Sequence, residues 1–383
     1  MREVVIVEAV RTPIGRRGGS LSHIRPDDLA AIVLKELVTR TGIDPNIIED
    51  VIMGCVSQVR EQAFDIARVA ALLADYPIEV PGTTIDRQCG SSQQAVHFAA
   101  QAILSGDMNV VVAAGVESMS RVPMFSSMQG GSWNEKLISR FGPFNQGISA
   151  ERINEKWGFT RGQLDEFALE SHQKAIRAQE ERRFEREIVP VEISLEDELK
   201  LVVTKDEGPR AETSLERLAS LKSSFLQNGS IHAGNASQIS DGAAAILLMS
   251  REKAEELGLK PRFRIVGRTV VGSDPSLMLT GPIKATEKVL EKTGLSIHDI
   301  DLYEVNEAFA CVPLCWLEET GADREKLNVN GGAIALGHPL GASGARVMVT
   351  LLHELERTGG RYGLQAICEG HGMANATIIE KID

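Results

Sequence analysis

Five glycines surround one imidazole in Gly331-Gly-Ala-Ile-Ala-Leu-Gly-His338-Pro-Leu-Gly-Ala-Ser-Gly-Ala-Arg346. Glycine lets a backbone take positive φ and come close to a ligand. The stretch runs into a segment that reads as a helix, so the pattern predicts a loop that holds His338 in one place. A glycine-rich loop opening a helix also suits phosphate. No Gly-Lys-Ser/Thr ending and no strand-borne G-x-G-x-x-G occurs, which argues against a nucleotide loop. Cys89, in Asp86-Arg-Gln-Cys-Gly-Ser-Ser-Gln-Gln-Ala95, heads another expected helix. The positive end of the helix dipole is expected to lower its pKa and favour thiolate. Cys368 lies in Ile367-Cys-Glu-Gly-His-Gly-Met373, just past an apolar strand, where α/β proteins present ligand-facing groups. Taken alone, it fits a structural role equally well. Its loop carries Gly370 and a second imidazole, His371. Asn306 opens Asn306-Glu-Ala-Phe-Ala310 after the strand-like Leu302–Val305. There it would orient a water or an imidazole, or cap the next helix.

The elements that must position these groups read as α/β. Short continuous apolar runs at Val4–Val7, Val51–Val56, Val110–Val116, Ala243–Met249, Leu364–Cys368 and Ala376–Ile379 suggest strands buried on both faces. Such runs are typical of parallel sheets covered by helices. Helical patterns over Asp27–Arg40, Ser92–Leu104 and Lys284–Lys292 stop at Gly42, Gly106 and Gly294. Hydrophobic residues make up 43% of the 383 and aromatics only 4%, which favours helices packed closely on sheets. The net charge of -12 argues against a general nucleic-acid binder. The N-terminus reads as a strand and not as a signal peptide. No apolar run approaches the ~20 residues of a membrane span. Five cysteines with no Cys-x-x-Cys fit a reduced cytoplasmic protein with one or two working thiols. No zinc-like cluster stands out, so no metal is expected.

A faint internal repeat runs through the chain. Arg40-Thr-Gly-Ile-Asp resembles Lys292-Thr-Gly-Leu-Ser, and the shift of 252 that carries Thr41 to Thr293 also carries Cys89-Gly-Ser-Ser onto Gly341-Ala-Ser-Gly. The same shift carries Val116-Glu117 onto Cys368-Glu369, which suggests two similar halves. The first half is expected over residues 1–118 with 239–258, and the second over 259–383. Between them, 119–238 begins Met- and Ser-rich and becomes strongly charged. It would be an inserted cap over a site, with oligomer contacts along Met119–Met128.

These motifs together resemble the thiolases. Cys89-Gly-Ser, Asn306-Glu-Ala-Phe-Ala, Gly331-Gly-Ala-Ile-Ala-Leu-Gly-His-Pro and the late Cys368-x-Gly fall in the family's order. Val7-Glu-Ala-Val-Arg-Thr-Pro-Ile-Gly15, Phe184-x-x-Glu-Ile-x-Pro190 and Ala233-Gly-Asn-Ala-Ser-x-Ile-x-Asp-Gly-Ala243 extend the resemblance over nearly the whole chain. It implies a five-layer αβαβα fold made of two similar halves with an inserted α/β loop domain. It further implies an acyl-CoA:acetyl-CoA C-acyltransferase that runs a reversible Claisen condensation. Cys89 would carry the acyl group, His338 would activate its thiol, and Cys368 would move the α-proton of acetyl-CoA. His338 and a water on Asn306 would serve the enolate oxygen. The backbone N–H groups of Cys89 and Gly370 would serve the tetrahedral intermediate.

By the same resemblance, Ser237 would contact the pantetheine arm of CoA. Phe225 and Leu221 would lie near the adenine, Ala233 would join them, and Met278 and Phe309 would wall the pocket. The implied substrates are acetyl-CoA, acyl-CoA or 3-ketoacyl-CoA, and CoA itself. No bound cofactor, nucleic acid or membrane is implied, and the assembly would be a homodimer or homotetramer. The sequence departs from the family pattern at Ser92 in the nucleophile motif, at His371 in the usual small run, and at Gln146 where many short-chain members carry methionine. The last two bear on acyl preference. His371, three residues from Cys368, is expected to lie close enough to alter its proton transfer. A decarboxylating ketosynthase would lack the second cysteine. A non-catalytic acyl-CoA-binding relative would have no need of Cys89, His338 and Cys368 together.

Overall fold

The computed structural model describes residues 2–194 and 200–382. The first half contributes strands β1 (Val4–Arg11), β2 (Gly15–Arg16), β3 (Asp50–Gly54), β4 (Gly82–Ile85) and β5 (Val110–Ser118). A hairpin of β6 (Val191–Ser194) and β7 (Lys200–Val203) follows, and then β8 (Ser240–Ser250). The second half adds β9 (Phe263–Gly272), β10 (Leu302–Val305), β11 (Tyr362–Glu369) and β12 (Met373–Lys381). Apart from the hairpin they join in the order β10-β11-β12-β9-β1-β8-β5-β3-β4, with β2 on β8. The order reflects about the β9–β1 seam, which is only two residue pairs long, Val5↔Arg264 and Ile6↔Phe263.

The 252-residue repeat is a repeat of structure. β3 and β10 begin at Asp50 and Leu302, β5 and β11 at Val110 and Tyr362, and two helices at Ser91 and Ser343. Strand direction departs from the expectation drawn from apolar runs. Only β3–β4, β3–β5 and β10–β11 are parallel among the named strand pairs, and the others are antiparallel. The runs read as continuous because helices cover both sheet faces, and that requirement does not depend on strand direction. β9 was not marked by an apolar run, because alternate positions carry Arg264, Arg268 and other half-buried residues.

Alternating side chains show the five layers. Val110, Val112, Ala114 and Val116 of β5 face one core with Leu29, Val33 and Leu37 of the helix Pro26–Thr41. Val111 and Ala113 face the opposite way. There they meet Val96, Ala99 and Ile103 of the helix Ser91–Ser105 and Met348, Leu352 and Leu355 of the helix Ser343–Thr358. A further core, built on Ala374, Ala376 and Ile378 of β12, takes Ala285 and Val289 of the helix Gly281–Thr293. The Ser91 and Ser343 helices therefore form the central layer between the two half-sheets.

Their first turns meet closely. Ser92 Oγ accepts the Ala345 N–H at 2.8 Å. A Cβ on Gly344 would lie 2.2 Å from the Gln93 nitrogen, and one on Gly115 only 2.4 Å from the Gly341 carbonyl oxygen. We expect Gly115→Ala to force backbone movement and to cost about 1–3 kcal/mol. Thermal unfolding should report a lowered Tm, and an unchanged Tm would show that the two helix heads can part freely.

Candidate active site

Cys89 sits in a tight turn between β4 and its helix. Gln88 takes φ 49°, the left-handed region, and Gly90 is the helix N-cap. The turn is held by short bonds: Asp86 Oδ1 accepts from the Gln88 N–H at 2.6 Å, and Ser91 Oγ accepts from the Arg87 N–H at 2.9 Å. The Ser91 hydroxyl in turn donates to the Gln88 carbonyl at 2.6 Å. Cys89 itself is buried against Met119, Leu340 and Ile367.

His338 is fixed through backbone and ring. Its N–H faces the Gln238 carbonyl at 3.1 Å and Ser240 Oγ at 3.2 Å. Its Nδ1 lies 2.6 Å from Ser343 Oγ, whose hydroxyl donates to the Pro339 carbonyl at 2.9 Å. The serine proton is thus committed, so the network assigns the ring proton to Nδ1 and leaves Nε2 as the acceptor. Asn306 Nδ2 approaches that Nε2 at 3.4 Å, and the Asn306 side chain lies near enough to the Cys368 thiol to pull its pKa down. Asn306 Oδ1 is buried with no partner. One asparagine from the end of β10 thereby stands near both the imidazole of the glycine loop and the thiol of β11.

Electrostatics correct one expectation. Burial pushes the Cys89 thiol well above its ordinary range, and Cys368 and Glu369 push it further. The helix dipole does not prevail over desolvation in the resting site. Cys368 is pushed up to about 12 by the same cause, against the pull of Asn306. Burial lowers His338 to about 3. The resting site is therefore two neutral thiols and a neutral imidazole, ready to accept a proton and not already paired as ions.

The loop after β11 brings Gly370 against the nucleophile turn: a Cβ there would lie 2.9 Å from Gln88 Oε1. His371 takes φ 66° and turns outward from Cys368 into the inserted segment. Its ring is 5.2 Å from Trp133 and 5.1 Å from Phe144, and Asp86 is its charged neighbour. The groups that shift the Cys368 thiol are its neighbours in the strand and Asn306, and His371 is not among them. His371 thus packs on the aromatic pair of the inserted segment. A left-handed backbone aims the ring there, and spacing in sequence could not reveal that.

The remaining residues fall into two groups. Met278, Phe309 and Cys368 all belong to the extended core of the second half. Phe309 meets Phe225 edge-on at 6.0 Å, and the Ser237 N–H donates to the Ala308 carbonyl at 2.9 Å beside it. Leu221 and Ala233 line a separate groove of about 220 Å³ with His172, Arg210 and Arg217. Ser343, Glu369 and the Trp133–Phe144 pair escaped the sequence reading. Ser343 could have been found, since it lies within the histidine loop itself. The aromatic pair could not, because only folding of the insertion brings it to His371. Among the described residues no helix is long and apolar enough to cross a membrane.

Two central helix heads, one bearing a thiol and the other following a histidine loop, with a second thiol near the asparagine that meets the histidine, define an acyltransferase-type site. The thiolase N-terminal domain model matches residues 4–252 and the thiolase C-terminal domain model matches residues 259–381. The chain belongs to the thiolase family. It is 49% identical to the steroid 3-ketoacyl-CoA thiolase FadA6 of Mycobacterium tuberculosis, covering 100% of this chain and 95% of that protein. It is 46% identical to the 3-oxoadipyl-CoA/3-oxo-5,6-dehydrosuberyl-CoA thiolase of Escherichia coli, covering 100% of both. The crystal structure of the Bacillus anthracis acetyl-CoA acetyltransferase matches with a TM-score of 0.93 at 44% identity, covering 100% of this chain and 99% of that one.

Two outcomes are expected at this site. Ser343→Ala removes the acceptor that fixes the His338 tautomer and should lower kcat/KM about tenfold at little change in KM, the scale of one lost hydrogen bond. Steady-state kinetics checks this. His371→Gly should leave the pH–rate profile of the wild type in place while shifting relative rates among acyl chains, read from the same assay with several substrates.

Proposed function

We propose that the chain catalyses reversible acyl transfer between CoA thioesters, cleaving 3-ketoacyl-CoA with CoA or condensing acetyl-CoA with acyl-CoA. The observation that supports this best is a pair of buried thiols that influence one another, the second of them beside the Asn306 that also meets His338. In condensation, Cys89 attacks the acyl thioester carbonyl as its proton passes to His338 Nε2. CoA leaves with that proton, and the acyl group remains as a thioester on Cys89. Cys368, once deprotonated, takes an α-proton from a second thioester, acetyl-CoA, and the carbanion attacks the Cys89 acyl carbon, expelling the Cys89 thiolate, which regains a proton from Cys368. Thiolysis reverses each step. Such chemistry needs no metal, nucleotide or redox cofactor, because the thioester itself supplies the activation.

A neutral Cys89 thiol suits this sequence, because a nucleophile that is already an ion would need no base, whereas His338 offers an unprotonated Nε2. The developing oxyanions would be met by His338 with Asn306, and by the backbone N–H groups of Cys89 and Gly370. The groove with Leu221 and Ala233 is the favoured place for the distal part of CoA, since Arg210 and Arg217 supply positive charge there on a chain of net charge -12. A cytoplasmic homodimer or homotetramer is the assembly this reading expects.

The Trp133 and Phe144 rings packed on His371 add apolar surface to the inserted segment, and on this reading they favour substrates with more bulk than acetoacetyl-CoA. Incubation with radiolabelled acetyl-CoA should acylate the wild type at Cys89. Cys89→Ser should take no label, and Cys368→Ala should keep the label while losing carbon–carbon bond formation and cleavage. Failure to label Cys89, or full thiolysis by Cys368→Ala, would sink the reading. Cleavage rates across a C4-to-C16 3-ketoacyl-CoA series should peak above C4.

A further inference from the structure

The shift that superposes the halves also pairs two buried glutamates, Glu117 on β5 and Glu369 at the end of β11. Each reaches the head of the opposite half's central helix. Glu117 Oε2 accepts the Gly341 N–H at 2.9 Å, just ahead of the Ser343 helix. Glu369 lies under Gly90, ahead of the Ser91 helix, where a Cβ would be only 1.8 Å from its Oε1. Cys89 is the residue next to that contact.

The two carboxyl groups differ in what holds them. Glu117 gathers four donors: Gly341 N, Val56 N at 2.9 Å, Ser57 N at 3.1 Å and Gln62 Nε2 at 2.7 Å. Glu369 Oε1 receives one amide bond, from Asn375 at 3.2 Å in the orientation that satisfies that side chain. Its Oε2 is buried with no partner, and the residue is 0% exposed. Four N–H groups suit a structural carboxylate. One amide and an orphan oxygen suit a group that changes charge.

We propose that Glu369 is a positioning residue for the nucleophile: a carboxyl group, braced against Gly90, whose charge governs how readily Cys89 gives up its proton. While it is neutral, transfer from Cys89 to His338 meets no opposing charge. Once ionised, it sets a negative charge beside the thiol and cancels part of the helix-head field. Burial pushes it up to about 8, with Arg87 opposing and Asp86 adding. The charged or titratable groups that face it are Arg87 and Asp86 on the nucleophile turn, Cys89, Cys368 and the nearby His371. Asn375 and Met373 on β12 and Gln94 on the helix carry no charge.

The inference concerns the Cys89 thiol of the proposed reaction, yet its test reads alkylation and not turnover, so the two can fail separately. The rate of iodoacetamide alkylation at Cys89 is followed by peptide mass spectrometry from pH 6 to 10. Wild type and Glu369→Gln should coincide below pH 7, where the carboxyl is neutral like the amide. By pH 9 the variant should react at least about threefold faster, because its thiol no longer ionises against a carboxylate. Superimposable profiles across the range would overturn the proposal. Glu369→Ile provides the same comparison should the glutamine variant not fold. Asp86→Asn is run alongside, and an equal acceleration there would assign the effect to the turn and overturn the role of Glu369.

Discussion

The site depends on one close contact, the meeting of two helix heads at the centre of the molecule. Glycines at positions 54, 115, 341 and 344 let the Ser91 and Ser343 helices approach until backbone touches backbone. Overpacking is costly and cavities are costly, so such a contact fixes distance to a fraction of an ångström. Cys89 and the His338 loop hang from those two heads. Their separation is therefore set by the core and not by flexible loops.

What the contact fixes in space, burial fixes in charge. A thiol at a helix head in water would lean toward thiolate. Here the thiol is enclosed by Met119, Leu340 and Ile367, and desolvation prevails. The same enclosure strips His338 of its proton. In the proposed reaction, proton transfer would wait for substrate, and the Ser343 hydroxyl leaves Nε2 as the ring nitrogen to receive it. The site stores no ion pair that a passing solute could quench.

Much of this was legible in the residues, and the gaps have physical reasons. Cys89, His338, Asn306 and Cys368 were readable because glycines and strand ends mark the places where side chains face a ligand. The six apolar runs gave strands at each position, since burial on both faces leaves a plain signature. β9 was missed because its half-buried arginines break the run. Strand direction was misread because the signature reports cover and not hydrogen-bond geometry. The pKa of Cys89 was misjudged because a dipole can be read from sequence, whereas desolvation depends on what closes over the thiol. The Leu221 and Ala233 groove and the Phe225–Phe309 contact follow from motif alone, and the fold joins them through the pairing of Asn235–Ser237 with Ala308–Ala310.

The duplicated frame carries an asymmetry with a consequence for stoichiometry. The position equivalent to Cys89 in the second half is Gly341. A side chain there would meet the Cys55 backbone at 2.6 Å and the Val116 carbonyl at 2.8 Å. The glycine is obligatory if the helix heads are to touch, so the frame has room for a nucleophile in one half only. If Cys89 carries the acyl group as proposed, packing limits the duplicated frame to one acyl site per chain. Two-fold architecture and single occupancy are then two results of the same steric fact.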